Sequence, residues 1–251
     1  MDFLDRVTSA TLEWRCKTSF KPRYRFVESL WRGWRERGLA IIGEFKRCAP
    51  GRFVGLHEPW EYAKKLAPYV DAFSVLTEPF WFCGSPALIP LFAQHRPVLA
   101  KDFTVCTGML AEFADAGASA VLLILDQLGW RRLDELYSEA RSMDLDALIE
   151  TSSWRDAVEV ASSYPEAAVG INARNLRTLE LSFEKLLDDI RKAADRIGEK
   201  TMLVAESSVD AVEKALVLKD AGAKAVLVGT WFMRDPDAAR RLSEELAKRV
   251  G

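Results

Sequence analysis

The sequence has few of the side chains that usually hold metals or cross-link a fold. Its 251 residues include four cysteines and two histidines, and the cysteines are widely scattered with no C-x-x-C pair. This pattern indicates neither a zinc site nor a disulfide framework. We therefore expect no metal and no cofactor, and we expect a reducing compartment, the cytoplasm, as the location.

Long apolar runs and an excess of one charge are also missing. The apolar run at 121–125 ends at Asp126, well short of the roughly 20 residues of a membrane-spanning helix. The first residues are amphipathic and acidic, unlike a signal peptide. Thirty-five basic residues nearly cancel thirty-seven acidic ones, so neither a nucleic acid nor a membrane is an expected partner.

Eight short apolar runs alternate with segments of helical periodicity. The runs are almost continuously apolar, which is typical of parallel strands covered on both faces. They occupy residues 40–45, 72–76, 97–100, 120–124, 145–149, 167–171, 201–205 and 225–229. Eight strand–helix units predict an α/β protein, a (β/α)8 TIM barrel that forms a single domain over residues 1–251. An open doubly wound sheet is the alternative, but no G-x-G-x-x-G loop follows the first strand.

The first 38 residues precede the first predicted strand. Between Arg15 and Arg37 there are eight basic and two acidic residues, interleaved with five aromatic residues. A basic, aromatic segment can bind nucleic acid or a membrane surface. Because the rest of the chain is not basic, we favour a simpler interpretation, in which residues 1–38 form extra N-terminal helices that close one end of the barrel.

Polar side chains collect where the predicted strands end, which is where a TIM barrel builds its active site. These residues are Glu44, Lys46, Lys101, Glu150, Asn172 and Glu206. Titratable groups this crowded shift one another's pKa values, as proton-transfer sites require. Lys101 is the only lysine between Lys65 and Lys185, and it is a candidate acid; a structural ion pair with Asp102 or with a glutamate is equally open.

Small residues follow the last two predicted strands. Ser207 and Ser208 come after the seventh strand, and Gly229 and Thr230 come after the eighth. Their hydroxyls and accessible backbone N–H groups suit a phosphate group. Tight loops also need small residues, so an ordinary turn is the alternative.

Several motifs near the predicted strand ends occur in a specific order. They are I-G-E-F-K-R at 42–47, L-T-E at 76–78, F-C-G-S at 82–85, K-D-F at 101–103, A-L-I-E at 147–150, G-I-N-A-R-N-L at 170–176, V-A-E-S at 204–207, and G-T at 229–230 with M-R at 233–234. In this order and at this spacing, the chain resembles the indole-3-glycerol phosphate synthase family from about residue 39 to residue 234.

The resemblance implies a carbon–carbon lyase of tryptophan biosynthesis. Its substrate would be a phosphosugar derivative, 1-(2-carboxyphenylamino)-1-deoxyribulose 5-phosphate, which loses carbon dioxide and water as the indole ring closes. By resemblance, Lys101 is the general acid, Glu150 is the general base, and Lys46 binds the substrate carboxylate and is a second candidate for the acid. The other polar positions of the family site match Glu44, Asn172, Glu206 and Arg174.

An aromatic substrate ring also requires an apolar slot. The residues at matching positions are Pro50, Phe82, Phe103, Leu122, Ile124 and Leu176. The predicted helices carry charges of both signs, which favours a monomer.

Four positions depart from the family pattern. Ala49 stands where a phosphate-binding serine is usual, and Ser208 replaces a glycine. If that glycine needs a positive φ, Ser208 would strain the loop and weaken phosphate binding. Cys83 replaces a usual asparagine, and Asn175 replaces a usual aspartate.

Two further functions remain open from the sequence. A non-catalytic phosphosugar-binding relative would explain the altered phosphate loop. A Schiff-base aldolase would use Lys101 or Lys46 as its nucleophile, since barrels also place such lysines at strand ends.

Overall fold

Eight parallel strands close into a barrel in the computed structural model, which describes residues 25–49, 53–174 and 180–249 and the single residues 2, 4, 5, 8 and 178. The barrel strands are β1 Ala40–Phe45, β4 Ala72–Leu76, β5 Val98–Lys101, β6 Ala120–Ile124, β7 Asp146–Thr151, β8 Ala168–Asn172, β9 Met202–Glu206 and β10 Ala225–Val228. Two short strands, β2 Cys48–Ala49 and β3 Phe53–Val54, form an antiparallel hairpin after β1.

Helices precede, connect and follow the strands; the first covers one end of the barrel, and the others lie on its outside. They are α1 Phe26–Arg37, α2 Pro59–Leu66, α3 Ile89–Ala93, α4 Thr107–Asp115, α5 Leu125–Ser142, α6 Trp154–Ser163, α7 Phe183–Ala194, α8 Val212–Asp220, α9 Thr230–Arg234 and α10 Asp237–Lys248, with a 3-10 turn at Pro86–Leu88. Two of them begin at serines whose side chains accept a backbone hydrogen bond, Ser153 from Asp156 and Ser182 from Lys185.

The strand order confirms the predicted barrel and excludes the open sheet. Around the barrel the order is β1, β10, β9, β8, β7, β6, β5, β4, and β1 pairs in parallel with both β10 and β4. All eight predicted strands are present, with ends within two residues of the predicted ones. The predicted and observed strands agree because both faces of every barrel strand are buried, so each strand appears in the sequence as a nearly continuous apolar run.

The interior of the barrel at its N-terminal end is filled by apolar side chains and covered by α1. Phe26 and Leu30 of this helix are fully buried against the inward-facing residues of the strands, and Trp31 and Trp34 pack against the same cluster. The helix is fastened by ion pairs, including Arg37 with Asp71 at 2.6 Å. For its described part, residues 25–38, the predicted N-terminal segment is therefore a helix that closes the barrel.

The prediction that the cysteines form no disulfide was wrong. Cys48 in β2 and Cys83 in the loop after β4 are joined by a disulfide, with their Cα atoms 5.8 Å apart. The two residues are 35 positions apart in sequence, but β1 and β4 are neighbours in the barrel, so their following loops meet. Among the described residues, no helix has the length and apolar character needed to span a membrane.

Candidate active site

A cavity of about 400 Å³ opens at the C-terminal end of the barrel, where the sequence predicts the active site. Five of the six polar residues predicted at the strand ends line it, and Glu206 lies completely buried beneath it. The other predicted residues that line the cavity are Arg174, Phe82, Phe103, Leu122, Ile124, Ser207, Ser208, Gly229 and Thr230. Pro50, Leu176 and Asn175 lie outside the described residues.

Lys101 reaches across the barrel to two carboxylates. The strand that carries it, β5, stands opposite β9 in the strand order. The Lys101 Nζ atom is 3.0 Å from Glu206 Oε2 and 3.8 Å from Glu150 Oε2. Because all three side chains are buried or nearly so, their charges interact strongly.

Burial and mutual charge shift the pKa values of this group. Burial raises the pKa of Glu150 to about 8; the charge of Glu206 adds to this increase and that of Lys101 opposes it. Burial alone would lower the pKa of Lys101, but the carboxylates of Glu206, Glu150 and Glu44 outweigh it and raise that pKa. The site thus holds an ammonium that stays protonated beside a carboxyl whose pKa is close to neutral pH.

Glu44 and Lys46 form a second pair on β1 and the residue after it. Lys46 Nζ donates to Glu44 Oε1 at 2.7 Å. Burial would raise the pKa of Glu44, but the positive charges of Lys46, Lys101 and Arg174 lower it below its usual value. Arg174 follows β8, and its backbone N–H donates to Asn172 Oδ1 at 2.9 Å.

Two glycines make room for these carboxylates. A Cβ atom at Gly229 would collide with Glu44 Oε1 and lie 3.0 Å from Lys46 Nζ. At Gly170, a Cβ atom would collide with Glu206 Oε1. Sequence reasoning assigned Gly229 to phosphate binding; in the structure it also leaves space for the ion pair.

The predicted phosphate loop has a left-handed backbone at two consecutive serines. Ser207 has φ 67° and Ser208 has φ 59°, a conformation that favours glycine. The condition under which Ser208 was expected to strain the loop is therefore met. The Ser208 hydroxyl is buried and has no hydrogen-bond partner in the described part of the chain.

Apolar side chains line the opposite wall of the cavity. The rings of Phe82, after β4, and Phe103, after β5, have centroids 6.3 Å apart, and Leu122 and Ile124 of β6 are buried behind them. In the barrel, β5 and β6 stand opposite β9 and β10. The serine loop follows β9 and Thr230 follows β10, so the apolar side chains and the serine loop lie on opposite sides of the cavity. An elongated ligand with an aromatic end and an anionic end matches this division.

Sequence reasoning missed several residues that line the cavity. They are Leu76, Glu78, Asp102, Leu181, Val209, Asp210, Leu227, Trp231 and Arg234. Arg234 could have been found, because it lies four residues after Thr230 and thus on the same face of α9. Glu78 stands in the quoted L-T-E motif, which gave it no role, and Leu181 carried no sequence signal, since loop conformation brings it to the cavity.

Fold and site together define a class: a (β/α)8 barrel with a buried lysine–carboxylate group between aromatic side chains and a serine loop. No group of three metal-ligating side chains occurs among the described residues. A family model described as indole-3-glycerol phosphate synthase matches residues 5–244. The chain therefore belongs to the indole-3-glycerol phosphate synthase family, as its motifs predicted.

Curated relatives agree with this assignment. The chain is 41% identical over 228 residues to an indole-3-glycerol phosphate synthase of Aeropyrum pernix, covering 90% of this chain and 87% of the relative. It is 37% identical over 246 residues to the protein of the same name in Pyrobaculum neutrophilum, covering 96% of each.

Solved structures with lower identity share the fold. An orotidine 5'-phosphate decarboxylase from Pyrococcus horikoshii superposes with a TM-score of 0.61 at 15% identity, covering 82% of this chain and 98% of that structure. A mutant tryptophan synthase alpha-subunit from Pyrococcus furiosus gives a TM-score of 0.60 at 16% identity, covering 84% and 98%. These likenesses support the TIM barrel alone.

Proposed function

We propose that this chain is a carbon–carbon lyase that converts 1-(2-carboxyphenylamino)-1-deoxyribulose 5-phosphate into indole-3-glycerol phosphate, carbon dioxide and water. The observation that carries the proposal is Lys101, held 3.0 Å from Glu206 and 3.8 Å from Glu150. This group stands between an aromatic slot and a serine loop suited to phosphate.

Ring closure first joins an aromatic carbon to the sugar carbonyl carbon, and the carbonyl oxygen must gain a proton. We assign this proton to Lys101, because neighbouring carboxylates raise its pKa and keep it protonated. Its positive charge also stabilises the negative charge that develops on the oxygen. Lys46 would bind the substrate carboxylate until it leaves as carbon dioxide.

Dehydration then needs both an acid and a base. The former carbonyl oxygen leaves as water after a second protonation, and a ring proton must be removed. Glu150 is our candidate base, since burial raises its pKa to about 8, near the pH at which it must give up and regain a proton. Glu206, Glu44 and Asn172 would orient the charged groups, and Arg174 would contact the substrate.

The two ends of the substrate require different walls. Phe82, Phe103, Leu122 and Ile124 would enclose the aromatic ring. Ser207, Ser208, Gly229 and Thr230 would bind the phosphate, and the nearby guanidinium of Arg234 would add a positive charge. Ala49, at the position where the family has a phosphate-binding serine, is not among the residues that line the cavity and offers no hydroxyl, so we expect weaker phosphate binding than a serine would give.

A Schiff-base aldolase fits this site less well. An amine must be unprotonated to attack a carbonyl, and nucleophilic lysines therefore have a lowered pKa. Burial would lower the pKa of Lys101, but the surrounding carboxylates raise it above its usual value. A binding-only relative would have no need for a protonated lysine and a shifted carboxyl in contact.

The test follows indole fluorescence after the purified protein is mixed with the substrate. We expect the signal to grow with wild-type protein and to grow at least about 100-fold more slowly with Glu150→Gln. A flat wild-type trace with measurable substrate binding would contradict the lyase and favour the binding-only relative. Trapping of a covalent adduct by borohydride would favour the aldolase.

We also propose that the chain acts as a single-domain monomer in the cytoplasm. All the long strands of the described residues belong to one barrel. The disulfide removes the argument from unpaired cysteines, so this location rests on the biosynthetic family to which the chain belongs. Gel filtration tests the proposed monomer, and elution at the size of a dimer would contradict it.

A further inference from the structure

The loop at residues 77–84 carries Phe82 into the cavity and is tied by a buried carboxylate. Glu78 accepts backbone hydrogen bonds from Phe80 at 2.9 Å, Trp81 at 2.6 Å and Phe82 at 3.0 Å. The carbonyl oxygen of Glu78 accepts another from Gly84 at 2.8 Å. Hydrogen bonds to a charged acceptor are stronger than neutral ones, so one side chain fixes the turn that aims Phe82.

A second tie reaches this loop from the neighbouring strand. Cys83, directly after Phe82, forms the disulfide with Cys48. The Cys48 backbone N–H also donates to the Phe82 carbonyl oxygen at 3.2 Å. Cys48 lies two residues after Lys46, so the disulfide joins the segment that ends β1 to the segment that presents the aromatic wall.

The loop has little apolar packing of its own. Phe80 is 87% exposed and Trp81 is 65% exposed, and Cys83 is also exposed. A segment with few buried apolar contacts opens at low free-energy cost unless other interactions hold it. Thr77 holds the start of the loop through hydrogen bonds to the Lys101 carbonyl oxygen and to Asp102. The ties that act close to Phe82 are the Glu78 hydrogen bonds, the disulfide, the Cys48 backbone bond and the contact of Phe82 with Phe103.

We propose that Glu78 and the Cys48–Cys83 disulfide are positioning residues that hold Phe82 in place, so that the aromatic slot exists before the substrate binds. This inference rests on the proposed function, because the slot is assigned to the aromatic ring of that substrate. Without the ties, the loop must become ordered when the substrate binds. The conformational entropy lost in that ordering makes the binding free energy less favourable.

The effect should fall on binding and leave the chemical steps unchanged. In this proposal Phe82 contacts the aromatic ring equally in the ground state and in the transition state. A loosened Phe82 therefore weakens the binding of both states by the same amount. The Lys101 side chain pairs with Glu150 and Glu206. Among the described residues, none of these three side chains forms a hydrogen bond or ion pair with Glu78, Cys48 or Cys83. We expect KM to rise roughly 2- to 12-fold, the cost of ordering one side chain, with kcat nearly unchanged.

The experiment first shows by peptide mapping that the purified protein holds the bond. Trypsin cleaves after Arg47, so Cys48 begins a short peptide that stays linked to the peptide of Cys83 until reduction. KM and kcat are then measured for oxidised and reduced wild type, for the double variant Cys48→Ser, Cys83→Ser, and for Glu78→Ala and Glu78→Gln. Cys106→Ser, at an exposed cysteine outside the cavity, is the control.

The expected result is a raised KM in the reduced wild type, in the double serine variant and in Glu78→Ala. Glu78→Gln keeps one acceptor oxygen, so its KM should lie between those of wild type and Glu78→Ala. Cys106→Ser should have the KM of oxidised wild type before reduction and the KM of reduced wild type after it. Circular dichroism checks that each variant is folded. Unlinked peptides, or an unchanged KM in the folded variants, would overturn the proposal.

Failure of the proposed function would look different. If wild-type protein binds the substrate but does not turn it over, the proposed lyase activity is contradicted. The substrate Kd, measured by tryptophan fluorescence, then tests whether the ties position Phe82. A Kd that rises on reduction supports that role, and an unchanged Kd overturns it. If wild-type protein neither binds nor turns over the substrate, both proposals are overturned.

Discussion

Two neighbouring layers inside the barrel differ in chemistry although the same strands build them. On four strands, an apolar inward residue is followed two positions later by a charged one. These pairs are Ile42 and Glu44, Leu99 and Lys101, Leu148 and Glu150, and Val204 and Glu206. Residues two apart on a strand face the same side, so the pairs stack as an apolar layer and a charged layer.

The difference shows how a barrel separates stability from function. The apolar layer, closed below by α1, gains free energy from burial. The charged layer is almost as deeply buried, but it holds like charges together and raises the pKa of Glu150 to about 8. Burying such charges costs free energy, so we infer that they are present for the proposed chemistry. Substitutions in the apolar layer should therefore change stability and largely preserve turnover, and substitutions in the charged layer should do the reverse.

The largest expected effect is on turnover. Lys101→Met should lower kcat by about 10²- to 10⁴-fold, because the proposed acid and its positive charge are lost. Glu150 can take a proton at neutral pH, so the protein should remain folded, as circular dichroism would check. Lys65→Met, which removes an exposed lysine paired with Asp237, is the control and should keep full activity. A loss of less than about tenfold would remove Lys101 from the proton-transfer step.

One layer lower on the same strand, the effect should be on stability. Leu99→Ala should reduce the free energy of unfolding by about 2–5 kcal/mol, since it leaves a cavity among buried side chains. Urea unfolding measures this change, and kcat should stay close to the wild-type value. Val217→Ala, at a residue 38% exposed on α8, should change stability by only about 0.5 kcal/mol. Equal losses at both positions would mean that the apolar layer does not dominate stability.

The charge of Glu206 should set the pH at which activity appears. If Glu150 must be deprotonated to act, kcat/KM should rise about tenfold per pH unit below pH 8 and level off above it. Glu206→Gln removes a negative charge that raises the pKa of Glu150, so the rise should move to lower pH.

The pH profile of kcat/KM checks this prediction. Glu135→Gln makes the same substitution on the outer surface of α5 and should leave the profile in place. A shift of the Glu206→Gln profile to higher pH would mean that another group controls the rise.

The smallest expected effect is at the phosphate loop. Ser208→Gly should raise the free energy of unfolding by about 1 kcal/mol or less, because glycine adopts a positive φ without steric cost. It should also lower KM, since the backbone can approach the phosphate more closely. Asp144→Gly, at another positive φ outside the cavity, also removes an exposed ion pair with Arg25 and should leave KM unchanged. A raised KM in Ser208→Gly would instead make the buried hydroxyl a phosphate ligand.

The strands and most of the candidate site were predictable from the sequence. Barrel strands are buried on both faces, so each appears as a short apolar run, and the residues just after them, such as Lys101 and Glu150, must converge at one end. The residues missed come from loops. Glu78 reaches the cavity because its own carboxylate shapes the turn of residues 78–82, and no local periodicity reports such a conformation.

By itself, the sequence determined the barrel, the end at which its polar residues gather, and the family through motifs in order. Only the tertiary structure decided which groups touch. Lys101 meets Glu206 because β5 and β9 stand opposite each other, and Cys48 meets Cys83 because β1 and β4 are neighbours. Local patterns record what each segment buries, whereas distances between segments far apart in sequence are set by how the barrel closes.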